Sequence, residues 1–560
     1  MTDPHPPDAH AGDGHDARAG ADPVQSSSEQ LGTSQPGNPQ TGSPRAGDSD
    51  TGTSRTDNSQ TGTSQTGTSR GNVARTMVTS VVRAGVPPLI GVVTLPIILG
   101  RVSLTDYGLW ATITGLIAVL ATIDGGLSTE VTRRVAAARG QHDNDGVVTA
   151  GREGVATAIR LALVTLPIAA LAGIPIVRIV APPELFAMGL TMWLAVLLYQ
   201  MVGWYFALQA GVVTGLQRGD LANSVNALGA IVGALATVAA VLLGAGVYGL
   251  LIGLYALGIT TLIGQMFAAR HLTGTSRVWL PLRPRSVRGM LLAGLALATL
   301  QASLLVEPAA AKAVLSALDG PESAAAVQLG YMVTRLALLA AMAPVAAILV
   351  GVSEWQVSQP ERIAGLVRHA ALASLALVAV LASVMLAAGP YMAKAWLGID
   401  VPGIGVAIRG LSVVAIAMIV VWLFTQTLLG HGNTRSVTTR LAIGTGVSLL
   451  GMVALAPVLG LAGTIAATFV GAVVSATLLS RIDAEYAGII WRATARVAPA
   501  MIALGVVGAM LIDAGNPQGR LAALAVAVVA GVVAVGVAWL LLPGDTRGLM
   551  IGTVREKIGR

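Results

Sequence analysis

Apolar runs of about twenty residues, the length of a membrane-spanning helix, recur from residue 77 almost to the end of this chain. No other feature of the sequence limits its fold as strongly, because each run must either cross a bilayer or be buried in a very large core. We place fourteen crossings, at 77–100, 106–127, 154–177, 185–207, 222–243, 246–269, 289–314, 323–350, 366–389, 405–429, 438–458, 461–480, 494–513 and 520–542. The sequence therefore predicts an all-α polytopic membrane protein.

The composition supports a membrane protein and excludes several classes of site. Of the 560 residues, 54% are hydrophobic and 11% are charged, whereas a soluble domain carries about 25% charged residues. The chain contains no cysteine, which excludes disulfides, zinc–thiolate sites and iron–sulfur clusters. None of the lysines follows a glycine, so the sequence has no P-loop for ATP.

The sequence contains no motif that is typical of an enzyme active site. The seven histidines are scattered singly, without the spacing of metal ligands. The sequence contains no Gly-x-Ser-x-Gly elbow and no recognisable pair of catalytic carboxylates. We therefore expect no enzyme activity, no metal and no cofactor. The net charge of +7 comes from arginines spread between apolar runs, which argues for membrane orientation and against nucleic-acid binding.

The distribution of basic residues predicts the topology. Loops on the amino-terminal side of the membrane hold seventeen arginines, and those on the other side hold five basic residues. By the positive-inside rule both termini are cytoplasmic. The bias toward Arg, Ala, Gly and Val suggests a bacterial source, so we expect the membrane to be the inner membrane of a bacterium. All loops between crossings are short, so a membrane glycosyltransferase or polymerase with a folded extracytoplasmic domain is excluded.

Two internal repeats divide the chain. Gly215 and Gly249 flank a helix and a turn, and Gly430 and Gly463 flank a second helix and turn, with spans of 34 and 33 residues. Crossings one to six therefore repeat as crossings seven to twelve in the same orientation, as in transporters built from parallel halves. The predicted units are a disordered cytoplasmic tail, a six-helix lobe, a second six-helix lobe and two additional helices with a short cytoplasmic tail, at 1–72, 73–288, 289–482 and 483–560.

Short motifs in the second crossing carry a family resemblance. Leu99-Gly100, Tyr107-Gly108 and Asp124-x-Gly126-Leu127 precede a segment rich in arginine. With the glycine-flanked loops of the repeat, this order resembles the oligosaccharide-lipid flippase family, relatives of the multidrug-and-toxin-extrusion transporters. The resemblance covers about 72–542. It implies two six-helix lobes plus two extra C-terminal helices, which move a polyprenyl-pyrophosphate-linked glycan by alternating access.

Ionisable residues inside crossings are costly and therefore candidate substrate contacts. Arg83 lies in the first crossing, where its guanidinium could bind a pyrophosphate or reach the headgroups of the inner leaflet. Arg335 lies near the middle of the eighth crossing, too deep to reach the surface easily. The resemblance implies that Arg335 lines the cavity, since the family often has an arginine after the tyrosine that is Tyr331 here.

The seventh crossing contains two more ionisable residues. Glu307 and Lys312 lie one turn or more apart, and Pro308 favours a kink between them. Glu307 is a candidate proton or cation site or a partner for the glycan, and the alternative is a structural ion pair with Lys312 or Arg335. The family often has an aspartate–arginine pair near this position, from which Glu307-Pro308 departs.

Three residues near the end of the second crossing are candidate gating or structural residues. We expect Asp124 to orient the basic segment that follows it by pairing with Arg133 or Arg134. Gating of the transport path is the alternative role for this group.

The sequence thus predicts a flippase for a polyprenyl-(pyro)phosphate-linked oligosaccharide in cell-wall or surface polysaccharide assembly. Coupling could come from H⁺, Na⁺ or the membrane potential. The expected partners are the lipid-linked substrate, membrane lipids and a glycosyltransferase or polymerase of the same pathway, and no nucleic acid. The alternatives are a cation-coupled multidrug exporter of the same fold, a flippase for a lipid II-type precursor, and a silent scaffold that acts through its tail.

Overall fold

The computed structural model describes residues 87, 89–282, 305–515 and 519–548, without side-chain detail at 121, 123–125, 343, 350, 357 and 358. These residues form α-helices joined by short turns, and the described ranges contain no β-strand. The predicted all-α architecture is confirmed.

The described residues of the first half of the chain form six α-helices. Helix α1, described over Leu89–Leu99, precedes five long ones, and a 3₁₀ turn, Ser276–Trp279, follows the last of them. The helices are α1 (Leu89–Leu99), α2 (Leu104–Gly140), α3 (Asn144–Val180), α4 (Phe186–Gly215), α5 (Gly219–Leu242) and α6 (Tyr248–Thr273).

The second half begins with α7, described over 305–318. It continues with α8 (Pro321–Ser358), α9 (Glu361–Leu397), α10 (Ile404–Gly430), α11 (Thr434–Ser480), α12 (Ala484–Gly515) and α13 (Arg520–Leu541). Ten of the described helices are long and apolar enough to cross a membrane.

Helix α11 contains two of the predicted crossings. It has 47 residues, a length of about 70 Å at 1.5 Å per residue, and its backbone leaves the helical region at Gly460, where φ is 54°. A positive φ suits glycine, which has no Cβ to clash with the backbone. The turn predicted at Gly460 therefore separates two crossings. Each of the fourteen predicted runs overlaps a described helical segment, but the runs at 77–100 and 289–314 do so only in part, because 77–86, 88 and 289–304 lie outside the described residues.

The predicted duplication is visible in the packing of two helix pairs. Gly246 and Gly460 both have positive φ, and the glycine three residues after each packs against the preceding helix. Gly229 of α5 contacts Thr261 of α6, and Gly444 contacts Ser475 in the same way within α11. Small residues at these positions let the helix backbones approach closely.

The loops on the arginine-rich side are shorter in the structure than the sequence predicts. Arg133, Arg134 and Arg139 lie on α2, which continues to Gly140, and Arg152 lies on α3. The apolar run ends well before the helix does, because charged residues such as arginine and glutamate also have good helix propensity. The helices therefore extend beyond the hydrophobic layer.

The helices form two lobes. In the first lobe α2 and α3 pack on α4 and on each other, α6 packs on α4, and α5 packs on α6. In the second lobe α8, α9 and α10 pack around one another, and α11 packs on α10. Helices α12 and α13 pack mainly on α9. Gly505 of α12 lies against Leu386 of α9, and the Ser383 hydroxyl donates to the Met501 carbonyl at 2.5 Å. The two extra helices therefore widen the second lobe.

Candidate functional site

The two lobes share a hydrophobic core at one end. We call this end, where α1 gives way to α2 at Leu99–Leu104, the distal end; the end at Gly140–Asn144, between α2 and α3, is the basic end. Buried apolar side chains from both lobes form one cluster at the distal end, among them Leu109, Ile113 and Ile117 from α2, Leu329 from α8 and Ile408 from α10. We call this contact between the lobes the distal seal.

Hydrogen bonds also cross the distal seal. The Thr105 hydroxyl of α2 donates to Glu322 of α8 at 2.9 Å. The Trp396 indole of α9 donates to the carbonyl of Val92 on α1 at 2.7 Å, and the Ser316 hydroxyl of α7 donates to the carbonyl of residue 180 at 2.7 Å. Because each bond joins one lobe to the other, all three must break if the lobes separate here.

At the basic end the described side chains form two separate cores. One runs from Leu127 to Val278 and belongs to the first lobe, and the other runs from Ala341 to Leu542 and belongs to the second. A shared core at the distal end and separate cores at the basic end indicate a cleft that is closed distally and widens toward the basic end.

One face of α8 leads from the seal into this cleft. Gln328, Met332 and Arg335 follow one another at intervals of four and three residues, so they share a face of the helix. Met332 contacts Gly91 of α1 across the seal, whereas Arg335 is exposed. Within the described residues Arg335 has no acidic partner. Its guanidinium is therefore available to an anion in the cleft.

Lys312 lies in the seal itself. Only 6% of its surface is exposed, and its amine donates to the Gln328 side-chain oxygen at 2.9 Å. On the other side it faces Gly115 of α2. The predicted alternative of an ion pair with Glu307 is not seen, since the described salt bridges include neither residue.

Glu307 points into the second lobe and away from Lys312. It is 8% exposed, and its carboxyl group lies near the Ser448 hydroxyl of α11 and near Tyr331 of α8. Five residues separate Glu307 from Lys312, which corresponds to about 140° around a helix of 3.6 residues per turn. The two side chains therefore lie on different faces of α7. Pro308 follows Glu307 in unbroken helix at the described end of α7.

Arg133 and Arg134 form a charged network at the basic end. Glu130 accepts hydrogen bonds from Arg133 at 2.7 Å and from Arg134 at 2.9 Å, and Arg134 also reaches Glu153 of α3 at 3.1 Å. The hydrogen bond from Arg133 is the largest cause that lowers the pKa of the Glu130 carboxyl.

This network contains two acidic residues that the sequence analysis did not name, since Glu130 and Glu153 hold the arginines. The side chain of Asp124, the predicted partner, lies outside the described residues. The spacing of three and four residues between Glu130 and the two arginines could have revealed this. Arg133 is 68% exposed and lies eighteen residues, or five helical turns, from Gly115, so it shares the cleft face of α2.

The remaining predicted residues are not described, and one unpredicted arginine is. Arg83 and the side chain of Asp124 lie outside the described residues. Sequence reasoning missed Arg160, an exposed arginine on α3. Its helical neighbours Leu163, Val164 and Leu171 are 61–69% exposed, so Arg160 lies on the outer, apolar face of the first lobe.

Solved structures share this fold. No protein-family model and no curated protein sequence matches the chain. A structure of the lipid II flippase MurJ in an inward closed conformation is 10% identical, covers 82% of this chain and 98% of its own, and has a TM-score of 0.60. An inward-facing multidrug resistance MATE family transporter is 16% identical over 73% of this chain and 98% of its own, with a TM-score of 0.54.

A third similar structure belongs to a transporter from Pyrococcus furiosus. It is 15% identical, covers 76% of this chain and 96% of its own, and has a TM-score of 0.51; its binding pocket is described as having reversed polarity. All three are transporters of the MOP superfamily or share its fold. At these identities the likeness establishes the fold, with its two lobes, and leaves the cargo open.

Proposed function

We propose that this chain is a flippase that moves a polyprenyl-(pyro)phosphate-linked oligosaccharide across the bacterial inner membrane. The single observation that carries the proposal is the exposed, unpaired Arg335 on the cleft face of α8, just beyond the distal seal. A guanidinium fork matches the oxygens of a phosphate or pyrophosphate. A cationic cleft suits an anionic lipid carrier better than the cationic drugs that many exporters carry.

The shape of the cleft fits a two-sided transport cycle. In the proposed topology the basic end faces the cytoplasm, with both termini, and the distal end faces outward. The substrate enters the open basic end, where Arg133 lies on the cleft face of α2, and its charged group moves toward Arg335. The distal seal then opens and releases the glycan outside.

Glu307 is the proposed coupling group. It is a buried carboxylate inside the second lobe, beside two polar groups and without a basic partner among the described salt bridges. Such a group can take up a proton or bind Na⁺ in one conformation of the lobe and lose it in another. We propose that this exchange, or the membrane potential acting on the anionic substrate, biases the cycle.

Partners of the proposed pathway follow from the cargo. A lipid-linked oligosaccharide must be made on the cytoplasmic face and consumed outside. Glycosyltransferases would supply the substrate, and a polymerase or ligase for cell-wall or surface polysaccharide would use it.

The proposal is tested in proteoliposomes with a fluorescent polyprenyl-pyrophosphate glycan and a membrane-impermeant quencher. We expect protein-dependent flipping that Arg335→Ala abolishes and that Arg160→Ala leaves unchanged. Arg160 is the matched control because it is an exposed arginine on the apolar outside of the first lobe. Equal loss in both variants would point to a general effect of arginine removal and would contradict the assigned site.

The competing function is a cation-coupled multidrug exporter, and the same vesicles test it. The fold of a MATE family transporter and the buried acidic Glu307 favour this function. Dye efflux under an imposed proton or sodium gradient, with no flipping of the glycolipid, would overturn the flippase proposal.

A further inference from the structure

Lys312 is the charged group that the proposed substrate contact does not explain. It lies on α7 inside the contact between the lobes, and 6% of its surface is exposed. Arg335 is open to the cleft, whereas the lysine amine is enclosed by α2, α7 and α8. A bound phosphate cannot touch it while the distal seal is closed.

The amine is poorly compensated in this position. An ammonium has three hydrogens to donate, and the described bond is the single one to the neutral side-chain oxygen of Gln328 at 2.9 Å. The described salt bridges give it no carboxylate. Burying a charge without an opposite charge is costly, so Lys312 makes the closed seal less stable than an apolar side chain would.

Gly115 is what allows the lysine to fit. A Cβ at residue 115 would lie 2.5 Å from the lysine Nζ and 2.7 Å from its Cε. The next nearest atom, the Cα of Ala309, is 3.7 Å away, an ordinary contact distance. A methyl group at this position would therefore displace the amine of Lys312 and no part of the backbone.

The position of Gln328 connects the lysine to the cleft. Gln328 holds the amine, and Arg335 lies seven residues further along the same face of α8, about 10 Å away at 1.5 Å per residue. Among the described residues, Arg335 is thus the cleft cation nearest the seal, and Lys312 is the next cation in the direction of the seal.

We propose that Lys312 is the release element of the distal seal: its buried ammonium weakens the closed contact, and an anionic headgroup at Arg335 opens the seal by drawing the ammonium out. This inference rests on the proposed function for the identity of the anion. The bound anion can be attracted to the Lys312 ammonium at close range only in states in which the amine has left Gly115 and Gln328. A ligand shifts a population toward the state that it binds better, so binding favours opening.

Two substitutions should shift the seal in opposite directions without any ligand. Gly115→Ala forces the amine from its site and favours the distally open state. Lys312→Met keeps an unbranched chain of similar length but removes the buried charge, and it favours the closed state. Gly536→Ala is the matched control, because nothing lies within 4 Å of a Cβ at that exposed helical glycine.

The distance between two spin labels, one on each lobe, shows directly whether the distal seal is open or closed. The full-length chain has no cysteine, so Glu184→Cys and Asp400→Cys, one at the distal end of each lobe, provide unique attachment sites. We expect the long-distance population to rise by roughly threefold or more in Gly115→Ala and to fall by a similar factor in Lys312→Met. A small change in the relative stability of the open and closed states is enough to produce shifts of this size. Shifts in the same direction for both variants, or none in either, would overturn the proposal.

A ligand arm separates this inference from the proposed function. Farnesyl pyrophosphate serves as the anionic prenyl probe and farnesol as its uncharged counterpart. We expect the pyrophosphate, and not the alcohol, to increase the open population of the parent protein and to have little effect in Lys312→Met. If the pyrophosphate binds and increases the open population equally in the parent protein and in Lys312→Met, the proposed role of Lys312 is overturned and the proposed function is not. No binding of the pyrophosphate would count against the proposed function, while the opposite shifts without ligand would still support the weakening of the seal by Lys312.

Discussion

Gly108 of α2 packs directly against the backbone of Pro321 at the start of α8. A Cβ at residue 108 would lie 2.5 Å from the Pro321 carbonyl carbon and closer still to its oxygen. Backbone cannot yield as the end of a flexible side chain can. The two lobes can therefore close the distal seal in this way only when residue 108 is glycine.

Gly108→Val should prevent the closed distal seal. The added side chain clashes with Pro321 in the structure described here, but an opened seal would remove the clash. We expect the spin-label distance across the distal end to move almost entirely to its long component. Gly446→Ala is the control, since a Cβ there meets nothing within 4 Å; an unchanged distance in Gly108→Val would show that the seal does not depend on this contact.

Arg335→Ala should weaken the binding of a prenyl pyrophosphate. A hydrogen bond to a charged group contributes about 1.5–3 kcal/mol, which corresponds to a loss of roughly tenfold to a hundredfold in affinity. Arg335→Lys should lose less, because it keeps the charge without the planar fork. Titration calorimetry in detergent measures both variants. Wild-type affinity in Arg335→Ala would exclude contact with the phosphate.

Glu307→Gln should separate transport from its driving ion. The amide keeps the size of the carboxyl group beside Ser448 but cannot bind or release a proton at ordinary pH. We expect flipping without an imposed gradient to continue and its acceleration by a proton or sodium gradient to disappear. Glu361→Gln, an exposed position on α9, is the control. Unaltered acceleration in Glu307→Gln would assign the coupling to another group.

The network at Glu130 should make stability depend on pH. Arg133 lowers the pKa of Glu130 below its ordinary value of 4.5, so the stabilisation is present above that value and is lost as the pH falls through the lowered pKa. Glu130→Gln should lower the free energy of unfolding by about 1–3 kcal/mol at neutral pH. Thermal unfolding at a series of pH values should show the difference between the two proteins narrowing below about pH 4. A constant difference would mean that the charge of Glu130 does not matter.

The membrane-spanning architecture could be predicted because it depends on local sequence. Apolar runs of sufficient length identify the crossings, and the glycine at residue 460 could be predicted to form a turn from its repeat alone. The helical extension of α2 to Gly140 was missed, since hydropathy marks the hydrophobic layer and not the end of the helix. Glu130 was missed as well, although its spacing from Arg134 carries the signal of a helical ion pair.

The cleft itself could not be predicted from the sequence. Gly108 meets Pro321 and Gly115 meets Lys312 across about two hundred residues of chain, and no local pattern states which helices pack together or in which register. The same limit applies to the predicted alternative of an ion pair between Glu307 and Lys312. The two residues are close in sequence, but helical geometry directs their side chains to different neighbours. The roles of Arg335, Lys312 and Glu307 in transport remain predictions.

Reversible cross-linking of the distal seal during flipping tests the central claim most directly. Thr105→Cys and Glu322→Cys replace two side chains that touch across the lobes, and a short reducible bis-thiosulfonate joins them in a chain that has no other cysteine. We predict that the cross-linked protein flips no fluorescent polyprenyl-pyrophosphate glycan and that reduction restores the rate, while each single-cysteine protein is unaffected by the reagent. Flipping at the same rate before and after reduction would contradict a path that opens between the two lobes.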